Sequence, residues 1–396
     1  MRDRHLVFAA GFLRGLAAGL ISVLAAVFLA KRGFPAAEIG IVLTAGLAGV
    51  AVGTAYGAFL ADRVGRRRSL VGLSVLTAAG GFVLAWSPDL WSVTLAAFLG
   101  MLNTQGTDRG AAHALEVAIL PATAALGERT RVFAWYNALQ DIGGAAGAAL
   151  AAVPQLLRDG FGVAEPRAYA AAILLYGGLL LLSALLYARL SSSAEPAGRM
   201  QRLAGAPGTR RAIHRFAALS ALDSFGGGFI GSALIAYFFY LKFGVSEGAL
   251  AALFLVGRIM TVLSHFGAAW LAGRVGLVNT MVFTHIPSSL LLLTIPLTGS
   301  FALAAFLFIL REGLVEMDVP TRQSYLMAIV QPEERAYASG ISQLGRAAGR
   351  VIAPGIAGGA MQLGGLWFPL VAGATLKIAY DLLLWRAFRH VKPPEE

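Results

Sequence analysis

Twelve stretches of about twenty apolar residues, parted by short polar joints, fix what this chain can fold into. They lie near 6–30, 36–61, 69–87, 90–117, 131–154, 168–189, 213–241, 247–272, 278–298, 300–329, 336–362 and 366–388. Each is long enough to cross the roughly 30 Å of bilayer hydrocarbon as a helix. In lipid a helix satisfies every backbone N–H and C=O within itself. Composition supports the same reading. Hydrophobic residues make up 57% of the chain and charged residues 13%, whereas a soluble domain carries about 25% charged residues. Pro35, Pro88-Asp89, Pro154 and Pro166 stand where runs end, as helix breakers should. The expectation is an all-α integral membrane protein of twelve transmembrane helices.

The absence of cysteine removes disulfides and thiolate metal ligands, and neither a metal nor a cofactor is expected. H-E-x-x-H and G-x-S-x-G are also missing, so no enzyme is expected. The net charge of +11 would suit nucleic acid, but the basic residues sit in loops between apolar runs. They speak for topology, and no nucleic acid is expected. Met1-Arg-Asp-Arg4 leads into a run too long for a signal peptide. With both termini inside, 19 of the 32 Lys and Arg fall on the inner side, 5 on the outer side and 8 within spans. Cytoplasmic loops hold such an excess. This predicts a multi-pass protein of a bacterial cytoplasmic membrane, both termini cytoplasmic, working as a monomer. Residues 191–212 are polar, basic and rich in Gly and Pro, which reads as a linker between six-span domains at 1–190 and 213–396.

One loop carries more information than the others. Gly57-Ala-Phe-Leu-Ala-Asp-Arg-Val-Gly-Arg-Arg-Arg68 ends one run, turns at Gly65 and places Arg63, Arg66, Arg67 and Arg68 together. The pattern G-x-x-x-x-D-R-x-G-R-R-R resembles the signature loop between the second and third helices of major facilitator superfamily transporters. The resemblance implies two pseudo-symmetric six-helix bundles that move a small-molecule substrate by alternating access. It also implies a cytoplasmic gate built from Gly57, Asp62, Arg63, Gly65, Arg66 and Arg67. In the superfamily the acid equivalent to Asp62 meets the start of the eleventh helix, here near Pro332-Glu-Glu-Arg-Ala336. Arg66 and Arg67 would then meet acids such as Glu116 or Glu128.

The halves repeat each other at an offset near 210. Gly57–Gly65 returns, with one insertion, as Gly267–Gly276; Arg14 aligns with Asp223, Asp108 with Asp318, and Glu128-Arg129 with Glu334-Arg335. Parallel repeats of this kind are the internal symmetry of the superfamily. The second copy has Gly273 for the acid and Leu277-Val278 for arginines, which predicts a weaker clamp.

Ionisable residues at membrane depth pair or line a watery cavity. Eight cations (Arg14, Arg109, Arg258, Arg311, Arg322, Arg346, Arg350, Lys377) face eight anions (Asp108, Glu116, Asp141, Asp223, Glu312, Glu316, Asp318, Asp381) within the spans. Asp318 and Arg322 are spaced to pair on one helix. Gln105, Arg109 and Glu116 would form a stripe on the fourth helix, and Arg311, Asp318 and Arg322 a stripe on the tenth. The resemblance places spans one, four, seven and ten around the central cavity. The candidates to meet substrate or coupling ion are therefore Arg14, Asp108, Arg109, Asp223, Arg258, Arg311, Glu312 and Arg350. Arg14 and Asp223 could pair across the halves, or each could face cavity water. Asp223, Glu312 and Asp108 are the candidates to carry a proton. His113, His265 and His285 are single and scattered, which favours core or interface roles.

The drug/proton antiporter branch resembles R-x-x-Q-G in the fourth helix and a Gly-Pro motif in the fifth. Gln105-Gly106 is kept, but Leu102 stands at the arginine position, and Gly143-Gly-Ala-Ala-Gly147 has no proline. A Gly/Pro stretch appears instead in the eleventh span, around Pro354. The leading expectation is proton-coupled efflux of a drug or metabolite. A carrier of an anionic metabolite, using the arginines, is the alternative; a sensor or lipid scramblase of the same fold is a third.

Overall fold

The computed structural model describes residues 2–107, 110–123, 129–195, 207–318, 321–322, 325–326 and 335–388. Those residues are helices and short joints. In chain order the helices are α1 (Arg2–Lys31), α2 (Ala36–Phe59), α3 (Ala61–Val64), α4 (Arg66–Trp86), α5 (Leu90–Leu99), α6 (Ala111–Ile119), α7 (Arg129–Leu150) and α8 (Val153–Phe161). They continue as α9 (Glu165–Tyr187), α10 (Pro207–Phe229), α11 (Ser232–Phe243), α12 (Glu247–Val275), α13 (Leu277–Thr294), α14 (Phe301–Val315), α15 (Arg335–Gln362) and α16 (Phe368–Phe388). Among the described residues, eight stretches are long and apolar enough to cross a membrane by themselves: α1, α2, α4, α9, α10 with α11, α12, α13 and α16. The other four expected spans are the interrupted fourth and tenth, and the fifth and eleventh, where Gly, Ala and ionisable residues dilute the hydropathy.

The chain forms two compact units. The first comprises Met1–Arg199 with Gly231–Leu255 and Pro354–Gln362; the second comprises Met200–Ile230, Val256–Ala353 and Leu363–Glu396.

In the first unit α1 is the central helix, packed on α7, α9 and α11. Glycines bring α1 and α7 close together. A Cβ on Gly15 would lie 2.6 Å from the Gln140 carbonyl oxygen, and one on Gly143 2.5 Å from that of Phe12. In lipid, where apolar surface drives little association, such close backbone approach supplies the packing energy. The same device seats the end of α15 on α2, where a Cβ on Gly40 would lie 2.5 Å from the Pro354 oxygen. In the second unit α16 packs on α10 and α13, with Gly226 and Gly373 at the contact. Each unit has an apolar core lined by aromatics: Tyr136 and Tyr187 with Val7, Leu70 and Ile119 in the first, Phe216, Tyr325, Tyr380 and Phe388 with Met281 in the second. Trp86, Trp91, Val83 and Leu95 are exposed, as a lipid-facing surface with interfacial tryptophans requires.

The repeat is visible in the backbone. Gly65 and Gly276 both precede a helix with positive φ, +106° and +86°; Gly33 and Gly244 both follow one, at +86° and +61°. Only glycine takes these conformations without strain.

Three spans differ from the continuous helices the sequence predicts. The fourth breaks between Leu99 and Ala111, where Gly100, Asn103, Gly106 and Gly110 cluster and Met101 and Gly106 have φ of +47° and +82°. Four such residues in eleven give the backbone turn conformations that outcompete the helix. The seventh breaks at Ile230-Gly231, between α10 and α11. In the tenth, α14 stops at Val315 and a turn follows at Glu316-Met317.

Candidate functional site

In the first unit Arg14 of α1 is buried, 4% exposed. Its Nη1 donates to Glu116 Oε2 at 2.6 Å and to the Tyr187 hydroxyl at 2.5 Å. Glu116, on α6 and wholly buried, also accepts from the Tyr136 hydroxyl at 2.6 Å and from Tyr187 at 2.7 Å. Gln140 donates to the Tyr136 oxygen at 3.1 Å, and His113 stacks on that ring. Arg14 and Glu116 thus come from α1 and α6 and the phenols from α7 and α9, which gives a buried carboxylate the partners it requires. This corrects one expectation: Glu116 does not meet Arg66 or Arg67, because it is an interior group. Arg14, with Ser74, Thr77, Asn103 and Tyr176, also lines a cavity of about 70 Å³.

The break in the fourth span lies against the break in the seventh. The Ala233 N–H donates to the Thr104 carbonyl at 3.3 Å, and Ser232 Oγ donates to the Gln105 carbonyl at 3.3 Å. A Cβ at Gly231 would lie 2.7 Å from Gln105 Nε2. The expected helical stripe of Gln105, Arg109 and Glu116 is therefore corrected: Gln105 sits in unwound backbone and Glu116 on α6. Asp108 and Arg109 lie outside the described residues.

In the second unit Asp223 of α10 is 3% exposed. Its Oδ1 accepts from Lys377 Nζ at 2.7 Å, and its Oδ2 from Arg322 and Arg346, both at 3.1 Å. Arg322 also binds Asp318 at 2.8 Å, the pair the sequence spacing predicts. Both carboxylate oxygens of Asp223 are taken by cations of its own unit. His285, expected as a lone core histidine, joins this cluster: its Nδ1 lies 2.9 Å from Asp381 and its Nε2 3.2 Å from Lys377.

Arg311 donates to Glu312, the next residue on α14, and Thr261 Oγ1 donates to Glu312 at 3.3 Å. Arg311 turns to this neighbour because α14 ends four residues later, so the predicted stripe with Asp318 and Arg322 has no continuous helix to carry it. Gly257 leaves room for the Glu312 side chain. Arg258 on α12 and Arg350 on α15 are half-buried.

The basic loop is tied within the first unit. Asp62 and Arg66 pair at 2.7 Å, and Arg66 Nη1 donates to the Ala118 carbonyl at 3.0 Å. Glu195 accepts from the backbone N–H groups of Arg66 at 2.7 Å and Arg67 at 3.2 Å. A carboxylate there satisfies the unpaired N–H groups at the start of α4. Sequence reading missed Glu195, which lies in the polar stretch taken as linker. Arg63 and Arg67 are exposed, and Gly57 faces Ala111 of α6. The region 332–334, where Asp62 was expected to reach, and Glu128 lie outside the described residues.

At the opposite end of the first unit, Arg158 grips Glu247 with two hydrogen bonds of 3.2 and 2.8 Å, and Tyr169 donates to the same carboxylate. Lys31 pairs with Glu165 at 2.8 Å. Arg158 sits on α8, outside the spans, and its hydrogen bonds to Glu247 push its pKa further up. Asp89 caps α5 through the N–H groups of Trp91 and Ser92, and those bonds hold its carboxyl below the usual range.

With this geometry in view, known proteins give the chain its relatives. An uncharacterized membrane protein of Saccharomyces cerevisiae is 24% identical over 97% of this chain and 93% of its own length. Among solved structures, a point mutant of the nucleoside transporter NupG matches with a TM-score of 0.78 at 13% identity, covering 98% of this chain and all of the other. A D-xylose-proton symporter matches with a TM-score of 0.74 at 14% identity, covering 97% of both. The human organic anion transporter MFSD10 matches with a TM-score of 0.61 at 15% identity, covering 97% of this chain and 99% of the other. The profile of the Major Facilitator Superfamily matches residues 7–354. The chain belongs to the Major Facilitator Superfamily, an all-α multi-pass membrane transporter and not an enzyme.

Proposed function

We propose that this protein is a proton-coupled secondary transporter of a small organic solute, with Glu312 as a carboxylate that trades a proton against its ion pair. The observation that carries this reading is the accessibility of Glu312. Its side chain is 14% exposed, against 4% for Asp223, 6% for Asp318 and none for Asp381. One arginine and one hydroxyl hold it, whereas Asp223 faces three cations. A membrane-depth acid with few partners and an incompletely buried side chain can exchange protons during a cycle. Domains 1–190 and 213–396, joined by 191–212, would open by turns to each side. The 19-to-5 charge bias supports a cytoplasmic membrane with both termini inside, and a monomer suffices.

The preferred direction is efflux of a drug or metabolite, supported by Gln105-Gly106 and the Gly/Pro stretch of α15. The anion alternative loses support, because Arg14, Arg311, Arg322, Arg346 and Lys377 each have a carboxylate partner in their own unit. The Asp62–Arg66 loop weighs against a sensor or scramblase, since a clamp implies two states to be controlled.

The test is flux into proteoliposomes under an imposed pH gradient, with ethidium, uridine, D-xylose and gluconate as labelled probes. Wild-type protein is expected to move at least one non-anionic probe in a gradient-dependent manner, and Glu312→Gln to lose that dependence. Gradient-driven flux that persists in Glu312→Gln removes Glu312 as carrier. Transport of gluconate alone favours the anion reading.

A further inference from the structure

The second unit holds a chain of buried groups that extends well beyond Glu312. Asp381 of α16 is fully buried and His285 of α13 is 1% exposed. Lys377, one turn before Asp381 on α16, lies between His285 Nε2 at 3.2 Å and Asp223 Oδ1 at 2.7 Å. Asp223 then meets Arg322 and Arg346, and Arg322 meets Asp318. The Tyr380 ring packs edge-on against His285. Four spans, α10, α13, α15 and α16, and the segment carrying Asp318 and Arg322, thus converge on one line of ionisable side chains.

Donor and acceptor rules fix the protons in this line. A lysine ammonium only donates, so its bond to His285 requires a lone pair on Nε2. The ring proton is therefore on Nδ1, where it points between the two Asp381 oxygens at 2.9 and 3.0 Å. With a neutral imidazole the cluster balances: Asp223, Asp318 and Asp381 against Arg322, Arg346 and Lys377. Among the described residues its one nitrogen lone pair is His285 Nε2, and Lys377, which covers that lone pair, already has a shorter bond to Asp223.

We propose that His285 is a proton-binding site covered by Lys377, and that its occupancy decides which helix holds the lysine. In the step, Lys377 gives up its 3.2 Å contact and keeps Asp223. The Nε2 lone pair then forms a bond to a proton delivered by hydronium, which leaves as water. Asp381 balances the imidazolium. With the proton bound, Lys377 ties α16 to α10 alone; without it, Lys377 is shared between α10 and α13. Asp223 lies six residues before the end of α10, about 9 Å along the axis from the break at Ile230-Gly231. The proton is thereby read at the helix that ends at this break. This site is independent of Glu312 as carrier.

Hydrogen–deuterium exchange at histidine C2, followed by mass spectrometry of the purified full-length protein between pH 5 and 9, measures the proton on His285 directly. Wild-type His285 is expected to follow a single-proton curve. Lys377→Met removes the competing cation and should tighten proton binding about tenfold, and Asp381→Asn should weaken it about tenfold. A pH-independent exchange rate in the wild type, or one curve shared by wild type and Lys377→Met, overturns the proposal. If Lys377→Met does not fold, the thermal unfolding midpoint decides: its shift between pH 5 and 8 should disappear in His285→Gln, and an unchanged shift overturns the site. Glu312→Gln should leave the His285 curve in place, so the two readings fail separately.

Discussion

Arg14 and Asp223 occupy matching places in the two halves, and both are almost fully buried, at 4% and 3% exposure. Their surroundings are opposite in kind. Arg14 is a cation held by one carboxylate and one phenol, and that carboxylate accepts from the same phenol and from a second one. Asp223 is an anion shared by three cations, two of which have a second partner. The repeat preserves the scaffold, including the glycines with positive φ, and leaves the chemistry free to diverge. The first arrangement has few ways to redistribute its charge, because neutral hydroxyls fill the remaining positions. The second can lose one ion pair and still be charge-satisfied. We read the first as a lock and the second as the part able to respond to a proton or a moving helix.

The largest effects should break that contrast if it is wrong. Glu116→Ala strips the carboxylate from a buried arginine, a change that destabilises by about 3–5 kcal/mol when one partner of an interior pair is removed. Loss of folded protein in the membrane, or a collapse of the unfolding temperature, is the expected outcome. Lys377→Met removes one of three cations from Asp223, so its loss in unfolding temperature should be clearly smaller. Equal damage from the two substitutions would abolish the distinction between lock and responsive cluster. Tyr187→Phe comes next: it removes a hydroxyl that both accepts from Arg14 and donates to Glu116, and about 1–3 kcal/mol is expected for a buried partner left unsatisfied, measured by thermal unfolding.

The same contrast explains what could be read from the sequence. The apolar runs, the basic loop and the repeat were legible because each is a local pattern, and lipid leaves a long apolar run only one backbone solution. The Asp318–Arg322 pair was legible for a similar reason, since both residues lie one turn apart. The cluster around Asp223 was not. Residues 223, 285 and 377 are brought together only by the packing of α10, α13 and α16, and a single histidine in an apolar run looks like any other core residue. The breaks at Gly100–Gly110 and Ile230-Gly231 were hidden differently. Their turn-forming residues sit within stretches whose average hydropathy still suggests one continuous span, although the density of Gly and Asn near 100–110 was a usable signal. Glu195 escaped because a capping carboxylate reaches α4 from 129 residues away.

The smallest effects test the loop where the resemblance began. Asp62→Asn removes an exposed ion pair with Arg66, worth about 0.2–1 kcal/mol, so the unfolding temperature should hardly move. Glu195→Gln keeps one of the two oxygens that accept from α4, replaces the other with an NH2 and removes the charge, and should change stability by about 1 kcal/mol. The two should part in transport. Asp62 is a proposed gate residue whose partner changes with conformation, so Asp62→Asn should slow flux in proteoliposomes several-fold. Glu195 binds backbone within its own unit, and a carboxylate that only caps a helix contributes equally to every state of the cycle. Its variant should transport at the wild-type rate. Equal slowing by both would mean that Glu195 belongs to the moving part of the gate, and that the loop is held by a switch and not by a static cap.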